Sequence, residues 1–134
     1  MELYEDGGML RDFVYVDDVA EAFRRCTGNE AAFGRTWNVG TGTPVTLVEV
    51  ADGLAAAMST KSRREVSGRY RIGDVRHAVA DVRRLRDELG FVPATTVRQG
   101  LEAFVAWAKQ NPETAPDDLA DEQLATRNLL RQSG

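Results

Sequence analysis

Two arginine motifs stand 60 positions apart, Arg11-Asp12-Phe13-Val14-Tyr15-Val16-Asp17-Asp18 and Arg71-Ile72-Gly73-Asp74, with the turn Asn38-Val39-Gly40-Thr41-Gly42 between them. A guanidinium offers paired planar donors that match phosphate oxygens, and its charge never titrates away, so arginines at strand edges suit a diphosphate. Asp74, three residues after Arg71, adds an acceptor for a ribose or sugar diol beside that phosphate. The pattern reads as a nucleotide-sugar pocket.

Each residue also has a plainer reading. Arg11 alone would be a surface charge, and only its continuation into Asp-Phe-Val-Tyr-Val-Asp-Asp makes it specific. Asp12 either holds the Arg11 guanidinium or is a strand-edge carboxylate. Asp17 and Asp18 complement the dipole at a helix start and are not expected to bind metal. Gly40-x-Gly42 is more simply a tight exit turn than a phosphate cradle. Without a wider context, Arg63, Arg64, Arg69, Arg71 and Arg76 form a basic loop with no assigned partner. His77, the single histidine, has no carboxylate or nucleophile at diagnostic spacing and reads as a structural hydrogen-bonding group. With one cysteine and one histidine at 26 and 77, no metal ligand set is expected.

From about Glu5 to Trp107, and loosely beyond, the order of these segments resembles the C-terminal part of the extended short-chain dehydrogenases/reductases, the NAD-dependent sugar-nucleotide epimerases and dehydratases. The resemblance implies that Arg11, Arg71 and Asp74 contact the diphosphate and ribose of a nucleotide sugar. The run Gly68-Arg69-Tyr70-Arg71-Ile72-Gly73-Asp74-Val75-Arg76-His77, followed by Ala80-Asp81, is most similar to the branch acting on UDP or dTDP hexoses. It further implies an α/β fold, the C-terminal substrate-binding portion of an extended Rossmann-type enzyme. The chemistry of such an enzyme is transient hydride transfer from sugar to NAD and back, with a tyrosine as base.

The dinucleotide-binding half of that family has no counterpart here. No Gly-x-Gly-x-x-Gly seats a pyrophosphate; Gly40-x-Gly42 reaches Val45 where the third glycine should stand. No tyrosine is followed four residues later by lysine, since Tyr4 leads to Gly8, Tyr15 to Val19 and Tyr70 to Asp74. The expectation is therefore a chain without catalytic or cofactor-binding residues of its own: a fragment, split-gene product or truncated reading frame. NAD would belong to a separate N-terminal half, and a homo-oligomer is a further possible partner state.

With 134 residues, 43% apolar, the chain is sized for one domain or part of one. Residues 1–111 are expected to form the substrate-binding portion, and 112–134 a polar tail with a short docking helix around Leu119, Leu124, Leu129 and Leu130. A net charge of -4 argues against a general nucleic-acid surface, although lysines at 61 and 109 leave 15 of the 17 basic residues as arginine. One cysteine excludes an internal disulfide, and Cys26 is expected to be a buried, inert thiol. No leader or apolar span is evident, which points to a cytoplasmic protein.

The elements that would position the motifs follow from periodicity. Alternation predicts strands over Asp12–Val16 and Thr36–Val39. Val16, Val19, Ala20 and Phe23 mark a helix that Asp17 would cap, ending near Thr27-Gly28. Thr46 with Glu49, and Thr96 with Gln99, are capping-box patterns ahead of two longer helices. A short strand is expected at Glu65-Val66, and a helix that Asp81 would cap is expected to end at Gly90. Trp37, Phe104 and Trp107 lie on apolar stripes and are expected in the core. Two alternatives to an enzyme portion stand beside it: an autonomous nucleotide-sugar-binding or regulatory module, and an arginine-loop RNA-binding protein.

Overall fold

The computed structural model describes residues 2–61, 63–112 and 119–132, with the side chains of 119–122 outside that description. It is an α/β arrangement of short strands and five helices among these residues. Strands β1 (Glu2–Leu3) and β2 (Leu10–Arg11) precede helix α1 (Val16–Cys26); β3 (Val45–Thr46) leads directly into α2 (Leu47–Ala57). Then come β4 (Glu65–Val66), β5 (Arg69–Arg71) and β6 (His77–Ala78), α3 (Arg83–Leu89), α4 (Val97–Gln110), α5 (Leu119–Thr126) and β7 (Leu130–Gln132).

The strand carrying Arg11 is central. β2 lies between β3, antiparallel to it, and β6, parallel to it, with Leu10 opposite His77 and Arg11 opposite Ala78. β1 pairs with β4, and β5 with β7, so the strand bearing Arg71 is held by residues from the C-terminal tail. The amide of Ile72 extends that ladder by donating to the Leu129 carbonyl at 2.8 Å.

Both capping boxes form. Thr46 accepts from the Glu49 amide while Glu49 reaches back to the Thr46 amide, and Thr96 and Gln99 repeat the exchange. Each satisfies two backbone donors that a helix start would leave without partners. Helices α2 and α4 pack together closely enough that a Cβ on Gly53 would stand 2.6 Å from Leu101 Cδ1. Behind α1 and α3, Ala22, Leu85 and Phe91 form a small core, covered by Trp37, Val39 and Leu89.

Several expectations are corrected. Ladder pairing occurs at Leu10–Arg11, whereas Asp12–Tyr15 join no ladder among the described residues and Val16 already opens α1. Thr36–Val39 likewise joins no ladder. Its alternation is nonetheless real, because Trp37 and Val39 pack inward while Thr36 and Asn38 face solvent. Helix α1 is entered through Tyr15 with no side-chain cap, and Asp17 falls in its first turn. Helix α3 starts after Val82, one residue later than Asp81 as N-cap would place it, yet Asp81 Oδ1 accepts from the Arg83 amide at 3.1 Å, and the helix closes on Gly90 at φ 61° as expected. Cys26 is half-buried. Of the leucines assigned to one docking helix, Leu119 and Leu124 lie in α5 but Leu130 opens β7.

Phe104 and Trp107 are the largest departure: they are 52% and 58% exposed, with Val105 taking the buried position on α4. With Tyr15, Val16, Val97 and Leu101 they line an open apolar groove of about 480 Å³. Phe23 on α1 is also exposed. No helix among the described residues is long and apolar enough to cross a membrane.

Candidate functional site

Arg11 projects from the middle strand and is fixed by contacts far away in sequence. One terminal nitrogen donates to the carbonyls of Leu10 (3.0 Å) and Arg76 (2.9 Å), and the other to Asp74 Oδ1 at 2.9 Å. A guanidinium has five N–H groups, so these three bonds leave two for a ligand. The Arg11–Asp74 pair is partly exposed, and its worth lies in geometry more than in stability.

Arg71 is linked to Asp74 through the backbone. It ends β5, and its carbonyl accepts from the Asp74 amide at 3.1 Å across a turn that needs Gly73 at φ 85°. Its guanidinium lies over the Tyr4 ring, 5.0 Å from the centroid. Among the described residues no carboxylate pairs with it. The charges of Arg11 and Asp74 cancel, so Arg71 leaves this cluster with one net positive charge. The rest of the arginine loop differs: Arg64 pairs with Asp52, Arg69 with Glu2, and Arg76 with both Glu5 and Asp6.

Sequence reasoning left Asp12 between two roles, and the structure gives it a third. Its Oδ1 accepts from the Thr41 amide (2.8 Å) and hydroxyl (2.6 Å), and its Oδ2 from the amides of Gly42 (2.8 Å) and Ala80 (3.2 Å). Burial pushes this carboxyl up, but the bonds from Thr41, Gly42 and Ala80 together outweigh that and hold its pKa below the usual value. One side chain thus ties the exit of β2 to the glycine turn and to the residues following β6. Gly40 is required there, since a Cβ would stand 2.6 Å from Asp12 Oδ2 and 2.7 Å from the Ala80 Cβ.

The same bonds answer the question of a phosphate cradle. The amides of Thr41 and Gly42 already serve Asp12, so the Gly40-Thr41-Gly42 turn does not fit a dinucleotide pyrophosphate. Asp18, assigned only a dipole role from sequence, is 7% exposed and accepts from the amides of Ala94 and Thr95, both at 3.0 Å. It latches α1 to the segment entering α4. His77 Nδ1 accepts from the Leu10 amide at 3.3 Å, a backbone partnership. Among the described residues no group of three or more acidic, histidine or cysteine side chains forms a metal site.

The chain as a whole is similar in sequence and fold to known proteins. The sequence profile of the NAD dependent epimerase/dehydratase family matches residues 1–40. The chain is 33% identical over 108 residues to the dTDP-L-rhamnose 4-epimerase of Burkholderia thailandensis, covering 81% of this chain and 30% of that protein. It is 32% identical over 112 residues to the UDP-glucose 4-epimerase of Mycolicibacterium smegmatis, covering 84% and 35%. The chain belongs to the NAD-dependent epimerase/dehydratase family. Its α/β structure superposes on MoeE5 in complex with UDP-glucose and NAD with a TM-score of 0.73 at 34% identity, covering 84% of this chain and 38% of that one. For the UDP-glucose 4-epimerase of Thermotoga maritima with UDP-glucose the TM-score is 0.70 at 27% identity, covering 84% and 36%. The chain therefore spans about a third of the epimerases and related structures it matches.

Proposed function

We propose that this chain supplies the nucleotide-diphosphate clamp of an NAD-dependent nucleotide-sugar epimerase or dehydratase, with Arg11, Arg71 and Asp74 as the substrate-binding residues. The observation that carries the reading is the meeting of Arg11 with Asp74, together with the backbone link from Asp74 to Arg71. Arg11 and Asp74, 63 residues apart, meet at 2.9 Å, and Arg71 sits across the Gly73 turn with its charge uncompensated among the described residues. A diphosphate would accept from the two remaining Arg11 N–H groups and from Arg71. Asp74 would accept from a ribose hydroxyl while keeping Arg11 in place.

Two related structures contain the substrate type this reading names: the Thermotoga maritima enzyme with UDP-glucose, and MoeE5 with UDP-glucose and NAD. NAD itself would belong to a dinucleotide-binding half, because the glycine turn of this chain is committed to Asp12. The chain would bind and orient the nucleotide and leave hydride and proton transfer to that half. The apolar face of Tyr15, Val16, Phe104 and Trp107 and the segments at 12–15 and 36–39, which join no ladder among the described residues, support such a complement. An RNA-binding role is disfavoured, since Arg64, Arg69 and Arg76 are already neutralised by carboxylates.

Calorimetric titration with UDP, UMP and uridine tests the clamp. The expected order of affinity is UDP first, UMP weaker and uridine weakest; equal binding of all three would remove the diphosphate from the reading.

A further inference from the structure

We propose that the C-terminal tail, through β7, positions the strand that carries Arg71, so that docking of the tail and binding of a nucleotide diphosphate reinforce each other. This rests on the assignment of Arg71 to the nucleotide clamp.

The sequence explains why the chain returns as a strand at this point. Helix α5 runs out through Leu124-x-x-x-Asn128-Leu129, and Asn128 takes the left-handed conformation at φ 55°. The Leu129 amide donates to the Leu124 carbonyl and the Asn128 amide to the Ala125 carbonyl, both at 2.9 Å. These are the two bonds of a Schellman turn, and asparagine is one of the few residues that tolerates the left-handed backbone closing it. The turn supplies donors to carbonyls at the helix end and releases Leu130–Gln132 antiparallel to β5.

β7 grips β5 along its length and beyond both ends. Arg69 lies opposite Gln132, Tyr70 opposite Arg131 and Arg71 opposite Leu130. Past one end of the ladder the Ile72 amide donates to the Leu129 carbonyl at 2.8 Å; past the other, the Gln132 side-chain amide donates to the Ser67 carbonyl at 2.7 Å. Hydrogen-bonded pairs alternate along antiparallel strands, so with Ile72 and Leu129 bonded, Tyr70 and Arg131 are the next bonded pair. The other flank of β5 is held at its start, where the Arg69 carbonyl accepts from the Glu5 amide at 2.7 Å. Among the described residues β5 has no ladder partner other than β7.

Arg71 stands at the far end of β5 from the Glu5 contact, directly before the Gly73 turn and Asp74. Its backbone is thus fixed from the β7 side. A segment without a neighbour samples many conformations, and ordering it on binding costs free energy that a ladder formed beforehand removes. Such coupling is reciprocal: whatever tail docking adds to nucleotide affinity, the nucleotide adds to tail docking.

The test is calorimetric titration of UDP into the full chain and into Arg131→Ala and Arg131→Pro, each with Arg71 intact and with Arg71→Ala. Arg131→Ala removes an exposed side chain and its charge but keeps the backbone amide, and serves as the reference. Arg131→Pro also removes the ladder donor and is expected to bind about two- to tenfold more weakly than that reference, the cost of ordering one further long side chain on binding. With Arg71→Ala the alanine and proline variants should bind alike, which a general structural defect would not reproduce. A second readout needs no change in the tail: hydrogen exchange at the Arg131 amide should slow about two- to tenfold when UDP saturates the full chain, and should not slow in saturated Arg71→Ala. If Arg131→Pro binds UDP as Arg131→Ala does, if its loss persists without Arg71, or if UDP leaves exchange at Arg131 unchanged, the positioning role is overturned and the clamp stands. If Arg71→Ala binds UDP as well as the unmodified chain, or nothing binds, the clamp reading and this inference fall together.

Discussion

Replacing Asp12 by asparagine changes the shape of one side chain hardly at all and should still be among the costliest single substitutions in the protein. The carboxylate accepts four hydrogen bonds, two on each oxygen, from Thr41, Gly42 and Ala80. An asparagine amide can accept on one side only, so its NH2 group must face two N–H or O–H donors. Hydrogen bonds to a charged acceptor contribute about 1.5–3 kcal/mol each, and the site is only partly buried, so the combined loss is about 2–4 kcal/mol. A domain of this size has roughly 5–15 kcal/mol in all. Urea unfolding at pH 7 should show a lower midpoint at unchanged slope. The pH dependence supplies a second check. The folded pKa of Asp12 is lowered, so its contribution is fully present above the unfolded value near 3.9 and is lost as pH falls through the folded value. The gap between the unmodified chain and Asp12→Asn should therefore be widest near neutrality and close below about pH 4. Equal midpoints at pH 7, or a gap that is as large in strong acid, would refute the reasoning.

Asp18→Ala strips the Ala94 and Thr95 amides of a buried acceptor and is expected to cost about 2–4 kcal/mol in the same unfolding assay. Thr46→Ala and Thr96→Ala each remove one capping box and should cost about 1 kcal/mol, with helix content followed by circular dichroism. Trp107→Glu alters an exposed position, so stability should change by less than about 0.5 kcal/mol. Its effect should appear in sedimentation velocity, where the unmodified chain associates through its apolar face and the glutamate variant associates less.

What the sequence reveals about this fold depends on how far each signal reaches along the chain. The two capping boxes each span four consecutive residues, and Thr46/Glu49 and Thr96/Gln99 form as read. Asp12 and Asp18 lie at the other extreme. Their donors stand 29 to 77 positions away, at Thr41, Ala80, Ala94 and Thr95, and no local pattern separates a carboxylate that gathers distant amides from one at a helix start. Alternation predicted strands at 12–16 and 36–39, but Val16 already opens α1, and a ladder also needs a neighbour, which neither 12–15 nor 36–39 has among the described residues. The apolar stripe of α4 was legible as apolar; that Val105 turns inward and Phe104 and Trp107 turn out depends on what α2 covers. The candidate site shows the same division. Arg11, Arg71 and Asp74 were marked by their motifs, while the stacking of Arg71 on Tyr4 crosses 67 positions and has no sequence signature.

The central claim is tested most directly by the affinity of the chain for UDP with and without Arg71. Losing one partner of a charge-assisted phosphate contact costs about 2 kcal/mol at the lower end of the measured range, which suits an exposed arginine and corresponds to roughly 30-fold. Arg71→Ala is expected to show that loss, with Arg71→Lys recovering little because the planar fork is absent. An Arg71→Ala chain that binds UDP as tightly as the unmodified protein would contradict the account.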